Sequence, residues 1–359
     1  MIFQISRMSL KDFINDRKSY SFLNSILKDR SKSLLNEFLE NQITKSFFTR
    51  GFNNDQIDWN MENCLSWLRK SKELLKMLMV LCHLLGGQPA RSTEMATMRW
   101  INGSQEQRGV YWANGTMMLL GIYAKTRGMT GQDKLIPRYH LYRMLMKYRF
   151  LTKDLAVLIA EYLTIVRPVE IFFSTKFHQK GEADLREFLW ADYRKGIWDG
   201  DYLSGLFKQY TSQHEMHGLG FQEYRQVATA FMEQHLKYKG NYLEKDQDST
   251  WDLQAGHSSK TAGIAYARAY NDHRMVSRDA MHQFYLISND WNDLILNAGL
   301  EKSEKGIIFI YNFTNIYRSK EYSSVGRSNK NFEYFYRICR NCTRRYYGFI
   351  SEEKDSDSR

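Results

Sequence analysis

Proline, cysteine and long apolar runs are all scarce in this chain. Only 3 of its 359 residues are proline, well under the usual ~5%, so few helices are interrupted and a mainly α fold is expected rather than an all-β sandwich. Its four cysteines, Cys64, Cys82, Cys339 and Cys342, stand at irregular spacing. They frame no disulfide scaffold, and a reducing compartment is expected. The most apolar stretch, LLKMLMVLCHLLGG at 74–87, is shorter than the ~20 residues of a membrane span and carries Lys76 and His83, which argues against membrane insertion. The opening MIFQISRMSLKDF has no signal-peptide core. No GxxxxGK[ST] phosphate loop occurs, so no nucleotide-driven motor is expected.

What is present points to a folded, anion-seeking protein. Hydrophobic residues make up 43% and aromatics 14% of the chain, too many core formers for intrinsic disorder. Lys and Arg total 51 against 40 Asp and Glu, a formal charge of +11, which favours a polyanion such as nucleic acid.

Residues 1–60 alternate basic and apolar positions at helical spacing and then enter the turn-rich GFNNDQ at 51–56. The pattern predicts a helical N-terminal segment closed by a linker. From Met61 a longer helix is expected through Leu68, Leu75 and Cys82, stopping at Gly86-Gly87, where glycine suits a left-handed cap. The runs VYWA and MMLLGIYAK flank Asn114-Gly115, a strong hairpin signal. A basic, glycine-containing loop from Lys125 leads to a third short strand ending near Tyr139. The fold class expected is therefore mainly α with a small antiparallel β-sheet. Helical patterns recur at 140–166 and 220–238, with a polar insertion at 239–250 and a polar tail at 351–359 expected to be disordered.

Taken alone, Arg91 in GGQPARSTEMATMRW reads as the start of an amphipathic helix whose Met95, Met98 and Trp100 face a core. A second segment, DLQAGHSSKTAGIAYAR, places Tyr266 nine residues after His257. A third, GFQEYRQVATAFMEQHL, carries Arg225 before Ala228-Thr229, and Lys125 precedes Lys134-Leu135-Ile136-Pro137.

In order and spacing these segments resemble the catalytic boxes of the tyrosine recombinases, with a phage-integrase-like catalytic domain. LGGQPARSTEM, EYRQVA and DLQAGHSSKTAG more narrowly resemble the recombinase-like region found upstream of RecQ-type helicases in fungal genomes. The resemblance covers about 62–275. It implies a helical N-terminal segment at 1–60 as a reduced DNA clamp, a catalytic domain at 61–275 and a C-terminal extension at 276–350 for oligomerisation or DNA contact. It further implies Arg91, Lys125, Arg225, His257 and Tyr266 as catalytic residues, with Gln222, Arg127 and Lys134 touching the substrate. Gln222 stands where the family usually has histidine, and an amide cannot act as an acid or base, so its part shrinks to hydrogen bonding.

The residue types suit phosphodiester chemistry. Fixed guanidiniums meet growing charge on nonbridging oxygens without losing their protons. A tyrosine oxygen keeps the phosphodiester energy in a covalent linkage, so rejoining needs neither ATP nor metal, and no cofactor is expected. The resemblance also implies double-stranded DNA as partner, a tetrameric synapse and a nuclear location. Alternatives are a type IB topoisomerase-like relaxing activity, which shares these residues, and a domesticated, non-catalytic DNA-binding module. His214 with His217 and the single CxxC of Cys339 and Cys342 are weak metal signals, and no metal site is expected. The basic aromatic run 334–347 could follow a phosphate backbone or form a packed helix edge. The apolar spacing at 276–295 suits docking on a neighbouring copy or packing on its own domain.

Overall fold

The structure is a computed structural model and describes residues 12, 17–24, 36, 39–40, 42–53, 56–104, 106–123, 134–140, 155–212, 218–235, 254 and 278–300. These are mainly helical, with small antiparallel sheets. The chain divides into two compact units that interleave along the sequence: Met1–Met79, Ala96–Thr116 and Leu155–Trp198 in the first, Val80–Met95, Met117–Asp154 and Asp199–Arg359 in the second.

In the first unit, α1 (Gln42–Phe48) leads into strands β1 (Thr49–Asn53) and β2 (Gln56–Trp59). This corrects the expectation of a linker at 51–56. Gly51, Phe52, Asn53 and Gln56 of that run lie in two antiparallel strands, with Phe52 opposite Ile57 and Asn53 opposite Gln56. Asn60 then starts α2 (Met61–Leu85), its Oδ1 accepting the Asn63 N–H at 3.3 Å, a side-chain cap for an otherwise orphaned donor. Twenty-five residues run without a proline. Phe48, Cys64, Leu68, Val169, Phe173, Leu185, Ala191 and Tyr193 form the core, with Trp59, Trp67, Phe172 and Phe177 packed against it.

The later helices of this unit are α3 (Ser92–Ala96, reaching into it only at Ala96), α4 (Leu155–Glu161) and α5 (Arg167–Lys176), the last two joined by a π turn at Tyr162–Val166. Pro168 explains the turn: it has no N–H to give residue 164, so the regular ladder breaks. The Arg167 N–H instead reaches the Tyr162 carbonyl, five residues back. A short helix α6 (Glu182–Leu185) precedes the two-residue strands β6 (Ala191–Asp192) and β7 (Gly196–Ile197). Arg167, fully buried, donates to the Leu189 and Ala191 carbonyls at 2.8 and 3.1 Å and pairs with Glu170 at 3.3 Å. Asp192 takes Lys72 and the Trp198 indole N–H, each at 2.8 Å. Buried charge is thus matched wherever the small hairpin meets the helices.

Strand β3 (Val110–Ala113), β4 (Thr116–Tyr123) and β5 (Lys134–His140) form one sheet in that order. Asn114 and Gly115, at φ 52° and 71°, make the expected tight turn between β3 and β4. Strands β4 and β5 pair antiparallel from Met117–His140 to Tyr123–Lys134. The second unit adds α7 (Gly200–Ser212), α8 (Phe221–His235) and α9 (Arg278–Leu300). Phe284, Ile287 and Trp291 of α9 are buried. Trp291 Nε1 donates to the Leu84 carbonyl at 2.9 Å and the Asn292 amide to Leu85 at 2.8 Å. Of the apolar face at 276–295, Phe284, Ile287 and Trp291 are therefore taken up by packing on their own unit. Among the described residues no helix is long and apolar enough to cross a membrane.

Phe173 is fully buried, its ring centroid 5.5, 5.4, 6.0, 5.5 and 6.1 Å from those of Phe48, Trp59, Trp67, Phe172 and Phe177. Removing it leaves a cavity among α1, β2, α2 and α5 that they cannot readily collapse to fill. Phe173→Ala should cost about 3–5 kcal/mol, seen as a lower denaturant midpoint. A loss under about 1 kcal/mol would contradict this account of the core.

Candidate functional site

Helix α2 ends where its sequence expected, and the geometry of that end builds the site. The Gly86 N–H reaches the Cys82 carbonyl at 3.2 Å, and Gly87 takes φ 95°, a conformation that side-chain-bearing residues rarely adopt. The chain turns through Gln88 and Pro89 and delivers Arg91 just before α3. Arg91 is partly exposed, with Nε 4.0 Å from the buried Glu94.

Arg138 reaches the same place from β5. Its Nε donates to the Gln88 carbonyl at 2.7 Å, one terminal nitrogen to the Gln254 carbonyl at 3.0 Å, and the other lies 3.1 Å from Glu94 Oε2. Burial pulls its pKa below the ordinary arginine value, and Glu94 opposes that shift. A Cβ at Gly121 of β4 would sit 2.7 Å from the Arg138 guanidinium and 2.9 Å from Glu94. Only glycine lets the strand pass so close to this ion pair.

Helix α8 supplies the second arginine. Arg225 is partly buried and Gln222, near the helix start, is exposed. Tyr224 donates to the Leu84 carbonyl at 3.4 Å. One turn beyond Arg225, the Ala228 carbonyl accepts from the Gln88 amide and Thr229 donates to its oxygen, both at 3.4 Å. Ala228 is fully buried, small enough for the turn to lie against the helix. The segments carrying Arg91 and Arg225 are thus in contact, and Arg138 joins to them the strand that Lys134 opens. Lys125, Arg127, His257 and Tyr266 lie outside the described residues, as do His214, His217, Cys339 and Cys342. Of the DLQAGHSS segment the structure describes Gln254, fully buried.

Two histidines sit behind the arginines. His83 is 2% exposed and stacks on Phe221 with centroids 3.7 Å apart and planes 12° apart, with Phe207 and Tyr224 around it. Neither ring nitrogen has a hydrogen-bond partner. Burial holds its pKa well below the ordinary value, and Arg138 and Arg225 push it further down. His140 donates to the Cys82 carbonyl at 3.1 Å. Burial lowers it to about 4, with Arg138 adding to the shift and its hydrogen bonds opposing it. Both rings are neutral at pH 7.

Spacing alone did not single out Arg138, Gln88, Gln254 or His83. Arg138 directly follows the Lys-Leu-Ile-Pro strand and Gln254 lies three residues before His257, so proximity to the recognised segments was the available signal. No protein-family model matches the sequence, and no solved structure matches the chain.

The neutral histidines fix a pH dependence. Unfolded histidine binds a proton near pH 6.5, whereas these two stay neutral in the fold, so their contribution is intact above about 6.5 and is lost as pH falls toward 4. Chemical denaturation should show stability falling by up to about 1.4 kcal/mol per pH unit for each histidine over that window. His83→Phe, which keeps a ring against Phe221, should flatten part of the slope. An unchanged slope in that variant would remove His83 from this explanation.

Proposed function

We propose that this protein breaks and rejoins DNA strands through a 3′-phosphotyrosyl intermediate, as a site-specific recombinase or transposase of a mobile element. The observation that carries the reading is the meeting of four segments within one unit. The turn before Arg91, the helix of Arg225, the strand opened by Lys134 and the segment of Gln254 are hydrogen-bonded through Gln88 and Arg138. These are the segments that resemble the recombinase boxes. The excess of positive charge supports a nucleic-acid partner.

On this reading Arg91 and Arg225 hold the nonbridging oxygens of the scissile phosphate, where charge grows in the transition state. The Tyr266 oxygen attacks phosphorus and loses its proton. A P–O bond forms to tyrosine as the bond to the 5′ oxygen breaks, and Lys125 protonates that departing oxygen. His257 hydrogen-bonds the phosphate or assists proton transfer. Gln222, Arg127 and Lys134 contact the substrate. A 5′-hydroxyl from another strand reverses the step, leaving the number of phosphodiester bonds unchanged. A tetrameric synapse on DNA and a nuclear location belong to the same proposal.

The test is a nicked suicide substrate, from which the released 5′ strand diffuses away and traps the intermediate. The wild-type protein should form a covalent DNA adduct, and Tyr266→Phe should form none. Arg225→Ala should slow adduct formation by about 10²–10³-fold, the usual effect of removing one group that meets transition-state charge. An adduct that persists without Tyr266 overturns the assignment. Salt-dependent DNA binding with no adduct from the wild type would favour the non-catalytic module, and relaxation of supercoils by monomers the topoisomerase-like reading.

A further inference from the structure

Two glutamines, Gln88 and Gln254, are both fully buried and hydrogen-bonded to each other, the Gln88 N–H donating to Gln254 Oε1 at 2.8 Å. Every polar group of the Gln254 amide is used. Its Nε2 donates to the Pro137 carbonyl at 3.0 Å and meets Ser288 Oγ at 3.2 Å, and its own backbone carbonyl accepts from Arg138 at 3.0 Å. Ser288 in turn donates to the Gly86 carbonyl at 3.3 Å and accepts the Tyr139 N–H at 3.2 Å. The slot is closely fitted. A Cβ on Gly87 would lie 2.5 Å from Gln254 Oε1 and 2.8 Å from Ser288 Oγ. On the other side, the Gln88 amide spans to Ala228 and Thr229 of α8.

The connections form a line: α9 and β5 to Gln254, Gln254 to Gln88, Gln88 to α8. Arg91 stands three residues after Gln88, and Arg225 lies one helical turn before the atoms Gln88 holds. We propose that Gln88 and Gln254 are positioning residues that set the separation and orientation of the Arg91 and Arg225 guanidiniums, an inference that rests on the function proposed above. An amide is the side chain this arrangement demands. It accepts from one neighbour and donates to two others, whereas a carboxylate of the same shape cannot donate and a methionine does neither. Two guanidiniums clamp a phosphate only within a narrow geometry, and displacement of about 1 Å at a reacting centre costs on the order of 10²-fold in rate. Gln254 also lies three residues ahead of His257 in the chain.

Gln254→Met and Gln88→Met, close in volume but without the amide, test this in the full chain. Adduct formation on the nicked substrate should slow by about 10²-fold in a single turnover, with DNA affinity within about twofold of wild type. The same variants should be compared on a substrate whose scissile phosphate is a methylphosphonate, which lacks the charge the guanidiniums meet. If the glutamines act through the arginines, the loss should shrink to under about fivefold there. Equal losses on both substrates, or a fall in affinity that accounts for the whole rate loss, would overturn the proposal. Ser288→Ala, which removes one bond from the Gln254 amide, should give a milder loss of the same kind and covers the case in which either methionine variant fails to fold. A separate readout needs no activity. The Gln88 amide proton should exchange slowly in the wild type and at least about tenfold faster in Gln254→Met, with α5 of the other unit unchanged. A wild-type protein that forms no adduct defeats the proposed function but leaves this exchange test standing, and an unprotected Gln88 amide defeats the clamp itself.

Discussion

The second unit depends on one buried cation. Arg138 is a guanidinium withdrawn from water, and a charge in that position is tolerated only when hydrogen bonds and a counter-charge replace its solvation. Three sequence segments supply them: Glu94 from α3, the carbonyl of Gln88 and the carbonyl of Gln254. Each of these must be in place for the others to be. The planar fork of arginine is suited to this, since its donors point in fixed, divergent directions that a lysine ammonium does not reproduce. Satisfying Arg138 therefore brings the turn before Arg91, strand β5 and the segment around Gln254 to one point.

The first unit solves a similar problem with different residues. Arg167 sits under the β6–β7 hairpin, bonded to two carbonyls, with Glu170 as counter-charge, and Ser71 donates to that carboxylate at 2.7 Å. Burial raises the Glu170 pKa, and Arg167 and Ser71 oppose the rise. In both units a buried guanidinium bonds to backbone carbonyls outside its own element and holds the segments together. Such pairs hold a particular arrangement more than they add net stability.

Local signals in the sequence were legible and tertiary ones were not. Asn114-Gly115 turned as expected because both residues accept positive φ at little cost, and α2 stopped at Gly86-Gly87 for the same reason. GFNNDQ was read as a linker because the residues that end a helix are also those that turn a hairpin, and only the pairing of Phe52 with Ile57 separates the two. The apolar spacing at 276–295 announced a buried helical face without naming what it packs on; Leu84 and Leu85 answer that from 207 residues away. At the site, Arg91 and Arg225 stood out through their motif. Arg138 did not, because a lone arginine in a strand reads as solvent-exposed until its partners are known, and Gln254 carries no charge or periodicity to mark it.

The placement of His83 bears on how so much positive charge collects around one turn. Arg91, Arg138 and Arg225 approach the same few residues, and the buried acid that faces Arg91 and Arg138 is Glu94. A protonated histidine between Arg138 and Arg225 would add a further cation to this set. Stacking on Phe221 within an aromatic enclosure keeps the ring neutral and lets it fill space without adding repulsion. Glu94 compensates Arg138 at 3.1 Å and stands farther from Arg91, at 4.0 Å. Glu94 thus makes its closer contact with the buried arginine, while Arg91 is partly exposed to solvent. On the function proposed above, a phosphate would suit two such guanidiniums, because its paired oxygens match their donor geometry and its charge would relieve their mutual repulsion.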